Sequence, residues 1–340
     1  SVLNQDLWQG KPFEFTTMIK HFLLNEPFSS EFVKNHADFV AIKEKFIPQC
    51  IPANVAYITV DKEAVRNSGM MIPNDSIPDR MELSLEGRND ISKSELMMLE
   101  VIAQNNFKRP LYMSTTVGPG NYGSLYRHFI QEGLAHRISP FIFEENQPMV
   151  FTKVDTEKMY DNMMNKYSYG NLKQEGLYLD ETTMRMCYTH RRWFSMLISA
   201  LIDEGKTEMA MKALEKVSTE IPAYNVPHDS GSGSIDLAQA YIRCGQLDKA
   251  EEILNALKDK SKEYAYWYIG LSSTRFVASM RECRQDISIL SIISDMFGDM
   301  AKVQEDKTEH YNNLAAECMQ HAESLSQAFF SKAQSAGVDF

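Results

Sequence analysis

No stretch of this sequence approaches the eighteen or so uninterrupted apolar residues that a transmembrane helix requires. The run "LSIISDMF" is short and carries an aspartate. No basic-then-apolar leader opens the chain. Positive charge is also scarce: 35 Lys and Arg stand against 46 Asp and Glu, a formal net charge of −11. That balance argues against a nucleic-acid partner and against a basic patch that would read an anionic membrane surface. No nucleic acid and no direct lipid contact are expected for this piece. Cysteines are few and odd in number: Cys50, Cys187, Cys244, Cys283 and Cys318, with no C-x-x-C. A disulfide framework or zinc ribbon is therefore disfavoured, and the thiols read as small buried apolar groups. No G-x-S-x-G or other nucleophile signature occurs. Methionine is missing at position 1; its removal before Ser1 and excision from a longer protein both fit.

What is present suits a soluble globular protein of two domains: 340 residues, 44% hydrophobic and 24% charged. Residues 1–155 alternate helix and strand signals, which predicts a small mixed α/β domain. "FEFTTMIKHFLL" has a helical pattern, whereas "VAYITV" (55–60) and "MELSL" (81–85) alternate as strands do. "NSGMMIPNDSIP" between those strands is a loop, broken by glycine and proline. "SKSELMMLEVIAQNN" carries a Ser92–Glu95 capping box, and Leu96, Leu99, Ile102 and Ala103 share one face. Asn105 and Asn106 suit a left-handed exit. Pro110 opens the next strand, and "SLYRHFIQEG" reads as a helix ended by Gly133.

Residues 156–180 connect, and 181–340 read as an all-helical domain. There Leu197, Ala200, Leu201, Gly205, Ala210 and Leu214 recur as Leu237, Ala240, Tyr241, Gly245, Ala250 and Leu254, an offset of 40 residues. This is the helix–turn–helix pattern of a tetratricopeptide repeat, in which glycine makes the turn and alanine admits the neighbouring helix. The extra length lies in "YNVPHDSGSGS", which reads as a flexible loop. Two units are few for a solenoid, so the later helices should cap the stack. The fold class expected is α+β, a mixed domain followed by a tetratricopeptide-like one. By repeat register Arg192, Ser195, Ser199, Gln239 and Arg243 face a partner-binding groove.

Several motifs admit a chemical reading and a plainer one. Gly118, Gly120 and Gly123 have the G-x-G-x-x-G spacing of a dinucleotide turn, with Glu144 and Glu145 further on. Anion binding at a following helix start would also use them. Against a dinucleotide stand Pro119, the polar Ser114, Thr115 and Thr116 in the preceding strand, and the want of a second βαβ unit. A loop that needs glycine backbone angles is the plainer reading. "HRRW" (190–193) places Arg191 and Arg192 at the opening of a repeat helix, available to an acidic partner or to neighbouring carboxylates. His310, Cys318 and His321 share a helix face, an arrangement of soft ligands that could hold zinc, but no further ligand is evident and no metal is expected. Asp155 and Asp161 fall on different faces of one helix, and Met159, Met163 and Met164 read as core filling.

"VDKEAV" (60–65), "ISKSELMMLEVIAQNNFKRPLYMSTTV" (91–117), "YRHFIQEGLAHRISP" (126–140) and "VDTEKMYDNMMNKYSYGN" (154–171) together resemble one family. So does the continuation "YLDETTMRMCYTHRRWFSMLISALIDEGKTEMA". It is the extracytoplasmic C-terminal portion of a group of bacterial multi-pass membrane proteins, related to the transmembrane O-mannosyltransferases of animals. The similarity spans roughly residues 50–260 and is most specific from Ser92 to Pro140. It implies a membrane-embedded glycosyltransferase-type part upstream, with the catalytic acids there and none in this chain. It does not require a G-x-G-x-x-G after "RPLY". The implied role is non-catalytic: binding an acceptor polypeptide or scaffolding the membrane part of the same polypeptide, on the periplasmic side of the inner membrane, without a cofactor. The alternatives are a soluble nucleotide- or sugar-nucleotide-binding enzyme that uses Gly118–Gly123, and a purely structural cap.

Overall fold

Short strands separated by turn residues build the first part of the chain, and amphipathic helices build the second. The computed structural model describes residues 2–4, 6–38, 40–41, 50–144 and 153–338, and falls into two units, Ser1–Met159 and Tyr160–Phe340.

The strands of the first unit are β1 (Val2–Asn4), β2 (Phe13–Glu14), β3 (Cys50–Ile51), β4 (Val55–Thr59), β5 (Arg80–Ser84), β6 (Asp90–Ile91), β7 (Tyr112–Ser114), β8 (Phe129–Gln131) and β9 (Ala135–Ile138). Among the described residues they form three three-stranded sheets, ordered β3-β1-β6, β2-β4-β5 and β7-β9-β8. The β1–β3 and β2–β4 pairs are parallel, and the other strand pairs are antiparallel. Ala56 pairs with Leu83 and Ile58 with Met81, and all four are buried. The two-residue period thus puts one face of that sheet into the core, where Phe13, Phe15, Met18, Phe129 and Ile130 join it.

Helices here include α1 (Phe15–Met18), continued as a π-helical turn over Ile19–Leu23, then α2 (Ser30–Asn35), α3 (Lys62–Asn67) and α4 (Lys93–Asn105). Half of the expected capping box forms at α4. The Glu95 backbone N–H donates to Ser92 Oγ at 3.2 Å, but the Glu95 carboxylate turns to Arg88, whose Nη2 lies 2.7 Å from Oε2. Leu96, Leu99, Ile102 and Ala103 are the buried face, as the spacing predicts. Asn106 makes the exit at φ 42, ψ 48. Its side chain accepts from Asp61 N and donates to Thr59 O, both at 2.9 Å, and so ties the helix to the end of β4.

The sequence "SLYRHFIQEGLAHR" is not a helix. Leu125–His128 is one 3-10 turn, followed by the β8–β9 hairpin, with Gly133 between the strands at φ 135. Gln131, Glu132, His136 and Arg137 imitate the polar face of an amphipathic helix, but all four are buried. Their polarity is internal, so polar–apolar periodicity misassigns the segment.

Helix α5 (Thr156–Asp161) runs on as a π-helical turn over Asn162–Lys166. In the second unit follow α6 (Glu181–Asp203), α7 (Thr207–Glu220), α8 (Ser234–Arg243), α9 (Leu247–Gly270), α10 (Ser273–Ala278), α11 (Met280–Val303) and α12 (Thr308–Ser335). No strand occurs among its described residues. The two repeated turns match in detail. Gly205 and Gly245 sit at φ +74 and +72. The next amide reaches back over each turn, Lys206 N to Leu201 O at 2.8 Å and Gln246 N to Tyr241 O at 2.9 Å. These 6→1 closures belong to a glycine C-cap. Ala210 and Ala250 are fully buried. Helices α9 to α12 close the stack around Phe276, Leu290, Leu325 and Phe329.

"YNVPHDSGSGS" is tied down along its length. Arg191, 1% exposed, donates from Nη2 to Val226 O at 2.5 Å and from Nη1 to Pro227 O at 3.2 Å and Ser234 Oγ at 3.1 Å. Asn225 Nδ2 donates to Leu172 O at 2.7 Å and Gln174 O at 2.6 Å. "HRRW" lies in the middle of α6, because Asp180 caps that helix ten residues earlier, accepting from Thr182 N and Thr183 N. Arg191 is therefore a clamp on the loop and is not offered to a partner. Burial pulls its pKa down to about 10.

Candidate functional site

In the helical unit, α6, the loop before α8, α9 and α11 enclose an open cleft of about 350 Å³. Tyr188 comes from α6, Asp229 from the loop, Tyr264 and Tyr268 from α9, and Glu282 and Asp286 from α11. The helical period explains the set: Tyr264 and Tyr268, like Glu282 and Asp286, are four apart and share one face. Gly233, at φ +73, lets the start of α8 approach α6 at Arg192.

The Tyr188 hydroxyl donates to Asp229 Oδ2 at 2.6 Å and ties the loop to α6. Burial, then the Asp229 carboxylate, raise the Tyr188 phenol above its ordinary range. Asp286 is only 3% exposed, in a buried α11 stripe with Cys283, Ile287 and Leu290. Its Oδ1 has no hydrogen-bond partner. Burial pushes its pKa up to about 6, against the lowering effect of the Ser230 and Ser261 hydroxyls. Tyr268 is raised in turn by burial and by Asp286 and Glu282. Three tyrosines and three carboxylates thus meet at one cleft, which is polar and aromatic together.

Of the groove residues expected from repeat register, the cleft takes in Arg192 alone. Arg192 is exposed, beside the Asp236 carboxylate. Ser195 is 1% exposed and donates to Arg191 O at 3.1 Å, so it faces the interior, where the helix buries Phe194 and Ile198. Ser199 is half-buried and Gln239 exposed. Arg243 is an exposed partner of Asp203, at 2.5 Å, between α8 and the end of α6. The cleft residues Tyr188, Asp229, Tyr264 and Asp286 escape sequence inspection because they belong to four separate segments. One signal was legible: Asp286 is an acid at an apolar position of a regular stripe.

The glycine loop provides no helix N-terminus for an anion, since only the 3-10 turn Leu125–His128 and then β8 follow it. β7, before it, is the edge strand of an antiparallel sheet. Gly123 alone has a local requirement, φ +55 and a Glu95 carboxylate 2.5 Å from where a Cβ would stand. A Cβ at Gly118 would meet Asn121 at an ordinary 3.9 Å, and one at Gly120 would meet nothing. Glu145 lies outside the described residues. His310 Nε2 is 2.8 Å from Glu251, His321 Nε2 is 3.6 Å from Glu317, and Cys318 is fully buried, its thiol pushed up to about 11 by burial. Among the described residues no three His, Cys, Asp or Glu side chains gather as a metal site. Met159 and Met163 are fully buried.

In the first unit the β8–β9 hairpin holds a buried carboxylate, Glu132. Tyr112 Oη donates to its Oε2 at 2.6 Å; Lys158 Nζ stands 3.1 Å and Arg137 Nη1 3.7 Å from Oε1. Arg137 Nη2 also donates to Ser68 O, and Lys158 Nζ to Gly69 O. Burial and Glu132 push the Tyr112 phenol up to about 12. Each charge is met by neighbours, so the cluster fastens the hairpin to the loop after α3.

Residues 11–158 match the family model described as TMEM260-associated domain 2, and residues 201–271 match the one described as tetratricopeptide repeat. No curated protein and no solved structure matches. No helix among the described residues is long and apolar enough to cross a membrane.

Proposed function

We propose that this chain is a non-catalytic, extracytoplasmic domain of a membrane-embedded glycosyltransferase-like protein, on the periplasmic side of the inner membrane, and that its helical unit binds an acceptor polypeptide. The carrying observation is the union in one chain of a match to a TMEM260-associated domain with a helical unit, matched over residues 201–271 to the tetratricopeptide repeat, whose helices line a polar, aromatic cleft. Tetratricopeptide stacks present extended surfaces to polypeptides. Tyrosines supply large contact area at a low cost in side-chain entropy. The first unit contributes the family-specific scaffold, and its polar cluster is consumed in holding its own hairpin.

The test is glycosyl transfer by the full-length membrane protein after substitutions at the cleft, Tyr264→Ala with Glu282→Lys, the latter at an exposed position. Loss of transfer to a polypeptide, with thermal stability retained, supports acceptor binding. Undiminished transfer leaves a structural cap as the better account.

A further inference from the structure

Asp286 is 3% exposed and its Oδ1 meets no donor, though Ser230 and Ser261 lie beside the carboxyl group. An ionised carboxylate short of donors is costly inside a protein, and the direction left open to it is the cleft. Glu282 stands one helical turn away on the same face, and the rings of Tyr264 and Tyr268 line the same space. The negative face of a tyrosine ring attracts cations. The Tyr264 ring already takes one from its own chain, Lys260 Nζ at 4.4 Å from the centroid. Of the two arginines at the rim, Arg185 reaches Glu181 at 4.0 Å on the exposed face of α6, and Arg192 packs on Gly233 with its charge felt by Asp236. Asp229 is held by the Tyr188 hydroxyl. The carboxylates left to a ligand are therefore Glu282 and Asp286.

We propose that the cleft receives one arginine side chain of the bound polypeptide, with Asp286 accepting from the guanidinium, Glu282 at the mouth, and the Tyr264 and Tyr268 rings against its plane. This rests on the partner-binding function proposed above and names the chemistry of the partner. A guanidinium suits such a site better than an ammonium, because it is planar, stacks on aromatic faces and presents several donors at once. The volume, about 350 Å³, is at the small end for ligand sites, which suits one long side chain. The chain's net charge of −11 favours approach of a basic segment.

The experiment titrates the full chain, by NMR, with an acetylated, amidated pentapeptide of glycine and serine carrying a central arginine. The comparison peptide carries citrulline, the neutral isostere. The expected result is binding about tenfold tighter for arginine than for citrulline, the difference an ion pair with ring contacts can make. Asp286→Asn should abolish that preference. Glu282→Gln, at an exposed position, should weaken it about two- to threefold and guards against altered packing in the first variant. Equal binding of the two peptides, or an arginine preference that survives both substitutions, overturns the proposal. If peptides bind without regard to charge, the arginine site fails while partner binding stands. If peptides of no composition bind, both fail.

Discussion

Gly233 lies against Arg192 so closely that a Cβ on the glycine would come within 3.1 Å of the Arg192 backbone nitrogen and overlap its Cγ. The start of α8 can meet α6 only because that atom is missing, and φ +73 is itself unfavourable for other residues. Gly233→Ala should therefore cost roughly 1–3 kcal/mol. Gly231→Ala, whose Cβ would stand 3.6 Å from Asp229 at an exposed site, should be close to neutral. Urea unfolding midpoints of the two variants check the contrast; similar midpoints would mean that α8 shifts freely.

The buried Glu132 cluster yields the largest stability effect expected in the first unit. Glu132→Ala strands Arg137 and Lys158 beside an empty space, and breaking a buried ion pair from one side costs about 3–5 kcal/mol. Tyr112→Phe removes one hydrogen bond and should cost about 1 kcal/mol. Thermal or denaturant unfolding would rank them, and a milder effect from Glu132→Ala than from Tyr112→Phe would refute the cluster's structural role.

Much of the architecture was legible because each signal was local. The α4 cap, its stripe from Leu96 to Ala103 and the left-handed Asn106 are set by neighbours within a few turns. The repeat turns at Gly205 and Gly245 were legible for the same reason. The β8–β9 hairpin was not, because its polar side chains point inward to partners far along the chain, such as Ser68 and Lys158. The cleft was not, because Tyr188, Asp229, Tyr264 and Asp286 meet only when four segments pack. Of the residues chosen by repeat register, Arg192 reaches the cleft and Ser195 does not. Repeat spacing fixes which helices pair, but the rotation of α6 about its axis depends on which residues its neighbours cover.

Asp286 should leave a mark on the pH dependence of stability. Its folded-state pKa is about 6 against an ordinary 3.8. Between these values the folded chain keeps a proton that the unfolded chain has released. The stability this group contributes is full below about pH 4, falls as pH rises to about 6, and is flat above. Asp286→Asn should therefore melt higher than the parent at pH 7–8, with the gap closing below pH 4. Melting curves across that range decide it: a gap that does not change with pH would mean the carboxyl is as well solvated folded as unfolded, and one that widens on acidification would mean that the fold stabilises its ionised form.

The last expectation separates the residues that make the helical fold from those that decorate it. Ala210 and Ala250 are fully buried at equivalent positions, where α7 and α9 approach their partner helices. Leucine at either adds volume to a filled space, and overpacking of this kind typically costs about 1–3 kcal/mol. Arg243 is exposed, and its ion pair with Asp203 joins side chains 32% and 67% accessible to solvent. Exposed pairs seldom contribute more than about 1 kcal/mol, so Arg243→Glu should move the melting temperature little. If the helical unit binds its partner through the cleft, Arg243→Glu should also leave binding of the arginine pentapeptide intact, since Arg243 is outside it. Arg192→Glu is the informative companion: it adds a carboxylate at the rim and should tighten that peptide without stabilising the chain. Peptide titrations and melting curves on the four variants test the division. A large loss of stability from Arg243→Glu, or tolerance of leucine at both alanines, would mean that the two repeats pack by contacts other than the glycine turn and the alanine approach.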